Sequence, residues 1–222
     1  MTYALILLSY LLGSLVPAIW ISKYFYGRDI RTLGSGNAGS TNMYRNFGFK
    51  AGLITQILDI AKGSIAASLP VLVLPNYNQL PPFFSYAPLV CGIAAIIGHV
   101  YPIFAKFRGG KGVNTVLGVM LVLQPIASIV GVIIFGIVLL LFRMVSLASI
   151  SAVASFPIFL ILHSLWQNSS LFTIYFAISL LLTGWIIFTH RSNILRIFKG
   201  TEPKIPSLFS KISKHSGKAT FF

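Results

Sequence analysis

Residues 113–142, VNTVLGVMLVLQPIASIVGVIIFGIVLLLF, are the part of the chain that decides its fold. The run contains no charged side chain, and its one sharp interruption is the pair Gln124-Pro125. A straight membrane span needs about 20 apolar residues, so the run forms either one long helix or two helices that break at the Gln-Pro pair. The choice sets whether the chain crosses a bilayer six or seven times.

The composition of the chain is that of an integral membrane protein. Of its 222 residues, 56% are hydrophobic and only 9% are charged, whereas soluble domains carry about 25% charged residues. The predicted fold is therefore an all-α, polytopic membrane helix bundle. The apolar runs predict spans at residues 3–21, 53–74, 84–103, 113–123, 126–142, 147–163 and 171–188.

The distribution of basic residues favours seven spans over six. If the chain turns at the Gln-Pro pair, sixteen of the 17 Lys and Arg residues fall on one side of the membrane, and the opposite loops, 75–85 and 166–170, carry none. If residues 113–142 form a single span, the glycine-rich segments and the basic C-terminal tail fall on opposite sides. The positive-inside rule therefore predicts seven spans, with the N-terminus outside and the C-terminus in the cytoplasm.

The formal net charge of +14 predicts anionic partners. Anionic lipid headgroups or anionic substrates fit, whereas nucleic acid does not, because the basic residues are divided among short loops between apolar runs. The acidic residues are only Asp29, Asp59 and Glu202. Without a carboxylate cluster we expect no bound catalytic metal and no cofactor, which leaves open a Mg²⁺ ion carried by a substrate.

The first polar segment is GSGNAGSTN at residues 34–42, with Arg45 one helical turn later. Its three glycines let backbone N–H groups converge on an anion, and a Ser, Thr or Asn then opens a helix whose N-terminus favours negative charge. A flexible linker is the alternative. A dinucleotide site is rejected, since a membrane helix rather than a strand precedes the segment. The predicted phosphate-binding residues are Ser35, Gly36, Asn37, Thr41, Asn42 and Arg45.

The second polar segment, residues 99–113, contains the run GGKG at 109–112. A glycine turn exposes N–H groups, the lysine adds charge, and the next span begins at the same place. Gly109, Gly110 and Lys111 are therefore predicted to hold a second phosphate or a developing oxyanion. A nucleoside-triphosphate loop is disfavoured, because glycine follows the lysine where Ser or Thr is needed. A basic loop that only anchors the chain at the membrane surface is the alternative.

Further polar residues lie in and after the spans. Asp59 and Lys62, three residues apart in the second span, form either an internal ion pair or part of the site, because ionisable groups in a span face each other or a cavity. After the last span, His190 and Asn193 share a helical face. Further candidates with weaker support are His99, Ser146 and Ser149.

Three motifs of this chain resemble the cytoplasmic motifs of the bacterial acyl-phosphate:glycerol-3-phosphate acyltransferase family. They are Gly34-Ser-Gly-Asn-x-Gly-x-Thr-Asn42 with Arg45, Gly98-His-x-x-Pro through Gly109-Gly-Lys-Gly-Val113, and Arg191-x-Asn193 with Gly200-x-Glu202-x-Lys204. The segment Asp59-x-x-Lys62-Gly63 resembles the family too. Two positions depart from its pattern: Ser40 stands where Ala is more frequent, and Asn114 where Ala or Ser is usual.

The resemblance implies a seven-helix enzyme of the bacterial cell (inner) membrane, with its active site on the cytoplasmic face. It implies transfer of a fatty acyl group from acyl phosphate to the sn-1 hydroxyl of glycerol 3-phosphate. The products are 1-acyl-glycerol 3-phosphate (lysophosphatidic acid) and phosphate, the first acylation step of phospholipid synthesis. Expected partners are the two substrates, anionic membrane lipids and the soluble enzyme that makes acyl phosphate. We expect one catalytic membrane domain, 1–206, and a basic cytoplasmic tail, 207–222.

The predicted catalytic residues are Lys111, His190 and Asn193, the last two holding the glycerol hydroxyls. His99 and His190 are the candidate proton handlers, although the leaving phosphate can accept the proton itself. The alternative function is a transporter of an organic phosphate. The uncharged outer loops count against it, because a transporter needs access from both sides of the membrane.

Overall fold

The computed structural model describes residues 2–164 and 172–205. The predicted loop 166–170, the first residue of the predicted seventh span and the predicted tail 207–222 lie outside the described residues. Within those ranges the secondary structure is helical, and no strand occurs. The α-helices are α1 (Thr2–Ser14), α2 (Pro17–Tyr26), α3 (Ser40–Val73), α4 (Ala87–Val100), α5 (Val113–Leu123), α6 (Pro125–Phe142), α7 (Val145–Ser164), α8 (Phe172–Thr189) and α9 (Arg191–Phe198).

The helices confirm the predicted class of membrane protein. By length and composition, the described residues contain four to six candidate spans: four helical segments, and two bent helix pairs that each count as one span if the chain crosses the membrane through the bend. The bent pairs are α1 with α2, at 40°, and α8 with α9, at 63°. Helix α5 is apolar but only 11 residues long. Seven spans and the predicted orientation therefore stay predictions.

The break predicted at Gln124-Pro125 is confirmed. Helix α5 ends at Leu123, Gln124 has the non-helical angles φ −145° and ψ 69°, and α6 begins at Pro125. Proline suits this first helical position because its fixed φ is already helical and its missing N–H would have no helical partner there. The apolar run at residues 113–142 is thus two helices and not one.

The chain divides into two compact units, residues 1–129 and 130–222. The single domain expected over residues 1–206 stays a prediction. In the first unit, α1 packs against α4, and α3 packs against α4 and α5. Glycines bring these backbones into direct contact, because a Cβ added at any of four positions would collide with the backbone of the neighbouring helix. The colliding residues are Ala95 for Gly13, Tyr10 for Gly98, Thr115 for Gly63 and Ile60 for Gly118.

Helix α3 is interrupted once, at Gly48, which has φ +84° and ψ −177°. Such angles are open to glycine and strained for other residues. The short first part of α3 follows the first glycine-rich segment directly. Tyr44 joins the two parts, since its ring lies against Gly52 and its hydroxyl bonds to Gln56 Oε1 at 3.0 Å.

In the second unit, α7 packs against α8, and the short α9 follows the bend after α8. Helix α9 is amphipathic, with Asn193 buried and Leu195 and Phe198 exposed. The segment after α9 is tied back to the start of α7 by a reciprocal pair. Arg143 Nε donates to the carbonyl of Ile205, and the N–H of Ile205 donates to the carbonyl of Arg143, each at 2.8 Å.

Candidate active site

The first glycine-rich segment is a loop organised around the side chain of Asn42, which is buried in the first turn of α3. Its Nδ2 donates to the carbonyl oxygens of Ile30 at 3.1 Å, Leu33 at 2.9 Å and Asn37 at 3.0 Å. Its Oδ1 accepts from the backbone N–H of Ser35 at 3.2 Å. One amide group therefore fixes the loop at four points to the helix that follows it.

Other residues of this segment are closer to the surface. Ser35 and Gly36 are exposed, Thr41 is half-buried, and Arg45 is exposed on the next turn of α3. Gly36 has a φ of +69°, in the left-handed region that favours glycine. Gly39 is the N-cap of α3, and no side chain caps the helix. The N–H of Asn42 donates to the Gly39 carbonyl at 3.1 Å, so the N–H groups that this helix start can offer to an anion are those of Ser40 and Thr41.

The second glycine-rich segment returns tightly onto the end of α4. The N–H of Gly110 donates to the carbonyl of His99, and that of Gly109 donates to the last residue of α4, both at 3.2 Å. A Cβ at Gly109 would collide with the His99 carbonyl, and one at Gly110 would collide with Nε2 of the His99 ring. Neither position therefore has room for a side chain. The half-buried Lys111 follows, and Gly112, with φ +87°, is the N-cap of α5.

The two glycine-rich segments meet each other in the first unit. A Cβ at Gly110 would lie 2.8 Å from the carbonyl oxygen of Ala38, so the backbones of the two segments are in contact. The side-chain Nδ2 of Asn114 also donates to the hydroxyl oxygen of Ser40 at 2.9 Å, which links the first turns of α5 and α3. The structure thus brings the first two predicted motifs together, with two uncapped helix starts side by side.

A buried charged cluster of Asp59, Lys62 and His99 lies behind this contact. Asp59 Oδ1 is 2.9 Å from Lys62 Nζ and 3.2 Å from His99 Nδ1. Lys62 Nζ is also 2.8 Å from His99 Nδ1. The Nδ1 side of the His99 ring therefore faces both charged groups, and its Nε2 faces Gly110. The predicted ion pair is therefore present, and it orients a histidine against the second segment.

Lys62 also connects this cluster to the break between α1 and α2. Its Nζ donates to the carbonyl oxygens of Gly13 at 3.0 Å and Leu15 at 2.8 Å. Pro17 explains why the Gly13 carbonyl is available, because proline has no N–H to offer to the residue four positions earlier. Two backbone carbonyls and the Asp59 carboxylate therefore accept from the buried ammonium, and Asp59 also balances its charge.

Sequence reasoning missed Arg31, which spans the two segments. Its Nε and Nη2 donate to the carboxylate of Asp29 at 2.6–3.2 Å. Its Nη1 donates to the carbonyls of Ala105 at 2.8 Å and Arg108 at 3.4 Å. The guanidinium hydrogen bond holds the pKa of Asp29 well below its usual range, and Asp29 in turn raises the pKa of Arg31. An arginine in a basic loop is expected from topology, so the sequence held no signal for this contact.

In the second unit, the third motif is built around the carboxylate of Glu202, which is buried. Its Oε1 accepts from Ser146 Oγ at 2.7 Å and Asn193 Nδ2 at 2.8 Å, and its Oε2 accepts from Arg196 Nε at 2.8 Å. Burial raises the pKa of Glu202, but these hydrogen bonds outweigh burial and hold it below its usual range. Asn193 and Ser146, both predicted site residues, are thus joined by a carboxylate.

His190 is buried at the bend between α8 and α9. Its Nδ1 lies 2.8 Å from the carbonyl oxygen of Ile186. A carbonyl only accepts, so Nδ1 carries a proton and donates to Ile186. Ser149 donates to the Val145 carbonyl one turn earlier in α7 at 2.9 Å. Across the described residues, no group of three or more His, Cys, Asp or Glu side chains is placed to hold a metal ion.

Comparison with known proteins identifies the family. A family model described as glycerol-3-phosphate acyltransferase matches residues 3–200. Glycerol-3-phosphate acyltransferase 2 of Bacillus anthracis is 44% identical over 200 residues, which cover 90% of this chain and 97% of that protein. The glycerol-3-phosphate acyltransferase of Salinibacter ruber is 40% identical over 210 residues, which cover 91% and 92% of the two chains.

Two solved structures are also similar. Both are crystal structures of PlsY (YgiH), an integral membrane glycerol 3-phosphate acyltransferase. The glycerol 3-phosphate form has a TM-score of 0.81 and 33% identity, covering 94% of this chain and 98% of that one. The lysophosphatidic acid form has a TM-score of 0.78 and 32% identity, covering 93% and 96%. Sequence and structure therefore agree that this chain belongs to the glycerol-3-phosphate acyltransferase family.

Proposed function

We propose that this protein is a membrane acyltransferase that moves a fatty acyl group from acyl phosphate to the sn-1 hydroxyl of glycerol 3-phosphate. The observation that carries the proposal is the contact between the two glycine-rich segments, at Gly110 and Ala38, beside the uncapped starts of α3 and α5. Two phosphate-sized sites next to each other suit a reaction between two phosphorylated substrates. Relatives crystallised in glycerol 3-phosphate and lysophosphatidic acid forms support the same acceptor and product.

The reaction needs positioning more than it needs a strong nucleophile. An acyl phosphate is a mixed anhydride, so its carbonyl carbon is already activated. The glycerol hydroxyl oxygen attacks this carbon, the bond between the carbon and the phosphate oxygen breaks, and phosphate leaves. The hydroxyl proton goes to the departing phosphate, which can hold it. The protein then contributes by aligning two anions and stabilising the charge that develops on the carbonyl oxygen.

The first segment is assigned to one phosphate. Ser35, Gly36, Thr41 and the start of α3 supply neutral donors, and Arg45 supplies charge and two parallel donors. Asn42 has a different role, because its amide is occupied by the loop itself. In our proposal it holds the loop in its binding conformation, with Asn37 as one of its acceptors.

The second segment is assigned to the other phosphate or to the developing oxyanion. Lys111 supplies the charge, and the tight Gly109-Gly110 turn lets backbone approach the substrate closely. His99 supports this turn from behind, held by Asp59 and Lys62. For the third motif, contact between His190 and the glycerol hydroxyls remains our proposal. We also propose, with weaker support, that Asn193 and Ser149 contact the glycerol hydroxyls. The side chain of Asn193 already donates to Glu202.

The location follows from the helices and the charge pattern. Up to six candidate spans and the apolar α5 fit a multi-pass protein. The basic loops favour a site on the cytoplasmic face of the bacterial inner membrane, near anionic lipids and near the soluble enzyme that supplies acyl phosphate. The fatty chain would extend between helices into the bilayer, where each buried CH₂ contributes about 0.8 kcal/mol.

The test uses purified protein in detergent with palmitoyl phosphate and glycerol 3-phosphate, following release of phosphate and formation of lysophosphatidic acid. A parallel reaction replaces palmitoyl phosphate with palmitoyl-CoA. We expect turnover that requires both substrates, no turnover with the thioester, and loss of activity in Lys111→Ala. Lys50→Ala, an exposed lysine in α3, is the matched control and should retain activity.

Each proposed part has an outcome that would overturn it. Turnover with palmitoyl-CoA alone would refute the acyl phosphate donor but leave the acyltransferase. Equal loss of activity in Lys111→Ala and Lys50→Ala would refute the site assignment. A correctly folded wild-type protein that binds glycerol 3-phosphate but forms no product would refute the enzyme, and glycerol 3-phosphate flux in sealed vesicles would then point to transport.

A further inference from the structure

A strained turn precedes the second glycine-rich segment. Lys106 has φ +56° and ψ 41°, and Phe107 has φ +57°. Both residues therefore occupy the left-handed region, which costs free energy for any residue that carries a Cβ. Two such residues in succession persist only where surrounding contacts hold them in place. Two residues later the chain enters the Gly109-Gly110-Lys111 run, so the conformation of this turn sets the direction of that run.

Local backbone bonds hold part of the turn. The N–H groups of Ala105 and Phe107 donate to the carbonyl of Pro102 at 3.1 Å and 2.9 Å, and the N–H of Arg108 donates to the carbonyl of Ala105 at 3.2 Å. These bonds close the turn on itself. They do not connect it to the first glycine-rich segment, which comes from a distant part of the chain.

Arg31 makes that connection at the residues that flank the strained pair. Its Nη1 donates to the carbonyls of Ala105 and Arg108, the residues on either side of the left-handed pair. Asp29 fixes the guanidinium from the opposite edge with three hydrogen bonds, and it also accepts from the backbone N–H of Arg31 at 3.0 Å. Asp29 thus holds the planar guanidinium group of Arg31 in one orientation beside the turn.

The backbone of Arg31 also lies close to the first glycine-rich segment. A Cβ added at Gly36 would lie 3.3 Å from the carbonyl oxygen of Arg31. The residue therefore contacts the first phosphate loop with its backbone and the approach to the second with its side chain.

We propose that Arg31, oriented by Asp29, is a positioning residue for the acyl transfer. It stabilises the left-handed turn at Lys106 and Phe107 and so sets the distance between the two phosphate loops. It touches neither substrate. The expected effect of Arg31 on kinetics rests on the proposed function. Its support of the strained turn can be tested in the protein without substrate.

The kinetic experiment compares Arg31→Ala with Arg28→Ala, an exposed arginine three residues earlier on the same loop. We expect Arg31→Ala to lower kcat/KM roughly tenfold or more, as expected for the loss of hydrogen bonds from a charged group. The loss should fall mainly on the KM of one phosphorylated substrate, and thermal unfolding in detergent should show the variant still folded at the assay temperature. Arg28→Ala should behave as wild type. Arg31→Lys should recover little, since an ammonium cannot reproduce the fork.

A rescue experiment separates positioning from general stability. Glycine adopts left-handed angles without the steric cost, so Lys106→Gly with Phe107→Gly should restore most of the kcat/KM lost in Arg31→Ala. In the wild-type background the same two glycines should change kcat/KM little. Failure of the glycine pair to restore kcat/KM in Arg31→Ala, in variants that are all folded at the assay temperature, would overturn the proposal.

Hydrogen exchange distinguishes failure of this inference from failure of the proposed function. Amide exchange over residues 103–110 should be faster in Arg31→Ala than in wild type, and slower again with the glycine pair. This result supports the role of Arg31 in the turn even if the wild-type protein shows no acyl transfer. Identical exchange in wild type and Arg31→Ala overturns the inference even if acyl transfer is confirmed.

Discussion

The side chain of Asn114 donates a hydrogen bond of 2.9 Å to the hydroxyl oxygen of Ser40, so the starts of α5 and α3 are tied together. Positions 40 and 114 are the two at which this chain departs from the motif pattern of the acyltransferase family that it resembles. The two departures are therefore in direct contact with each other. An alanine at position 40 would leave the Asn114 amide without this acceptor, and a smaller residue at 114 would not reach Ser40.

This pair predicts measurable coupling between positions 40 and 114. Ser40→Ala and Asn114→Ala should each lower kcat/KM, and the double variant should be no worse than the poorer single one. The coupling free energy should be about 0.5–1.5 kcal/mol, the usual contribution of one hydrogen bond. A double-mutant cycle on kcat/KM measures it. Additive effects of the two substitutions would contradict a functional bond.

Replacing Gly110 tests the contact between the two loops. Gly110→Ala would place a Cβ against Nε2 of His99 and the carbonyl of Ala38, so the loop must move. A displacement of about 1 Å near the reacting atoms can cost roughly a hundredfold in rate. We expect that loss with little change in Tm. Gly136→Ala and Gly184→Ala, where a Cβ would meet no atom within 4 Å, are matched controls that should keep full activity.

The buried cluster predicts an asymmetry between single and double substitutions. Asp59→Asn leaves the buried ammonium of Lys62 without its counter-charge, and we expect destabilisation of about 3–5 kcal/mol. Asp59→Leu combined with Lys62→Met removes both charges and should be less destabilised than Asp59→Asn alone. Thermal unfolding in detergent measures the order of stabilities. A double variant less stable than Asp59→Asn would contradict an ion pair with this role.

Glu202 predicts a loss of stability in acid. Because its folded-state pKa is lowered, ionised Glu202 stabilises the fold at all pH values above its unfolded pKa of about 4.3. This contribution declines as the pH falls through the folded-state pKa. The Tm difference between wild type and Glu202→Gln should therefore be large near neutral pH and vanish in strong acid. A difference that stays constant down to about pH 3 would contradict the assignment.

The sequence predicted the fold where local chemistry determined it. The helix break at Gln124 follows from the proline after it, and the glycine turns follow from the absence of a Cβ at Gly36 and Gly112. The meeting of the first two motifs was also expected, because both begin helices on the same predicted side.

The roles of Asn42 and Arg31 could not be predicted, because their partners are backbone carbonyls. The motif predicts that Asn42 binds phosphate. Its acceptors are the backbone carbonyls of Ile30 and Leu33, which no sequence pattern identifies. The acceptors of Arg31 lie more than seventy residues away, on a turn whose left-handed angles fall on Lys and Phe rather than on glycine. Contacts of this kind depend on where the chain comes together and not on residue type.

The carbonyl groups that accept hydrogen bonds from Lys62 bear on how the protein is inserted into the membrane. Helices α1 and α2 leave the ribosome before α3, so the free carbonyls of Gly13 and Leu15 reach the bilayer ahead of the lysine that they bind. An ammonium group that enters a bilayer without partners costs about 2.5–3.5 kcal/mol on insertion scales. The order of synthesis thus provides acceptors in advance.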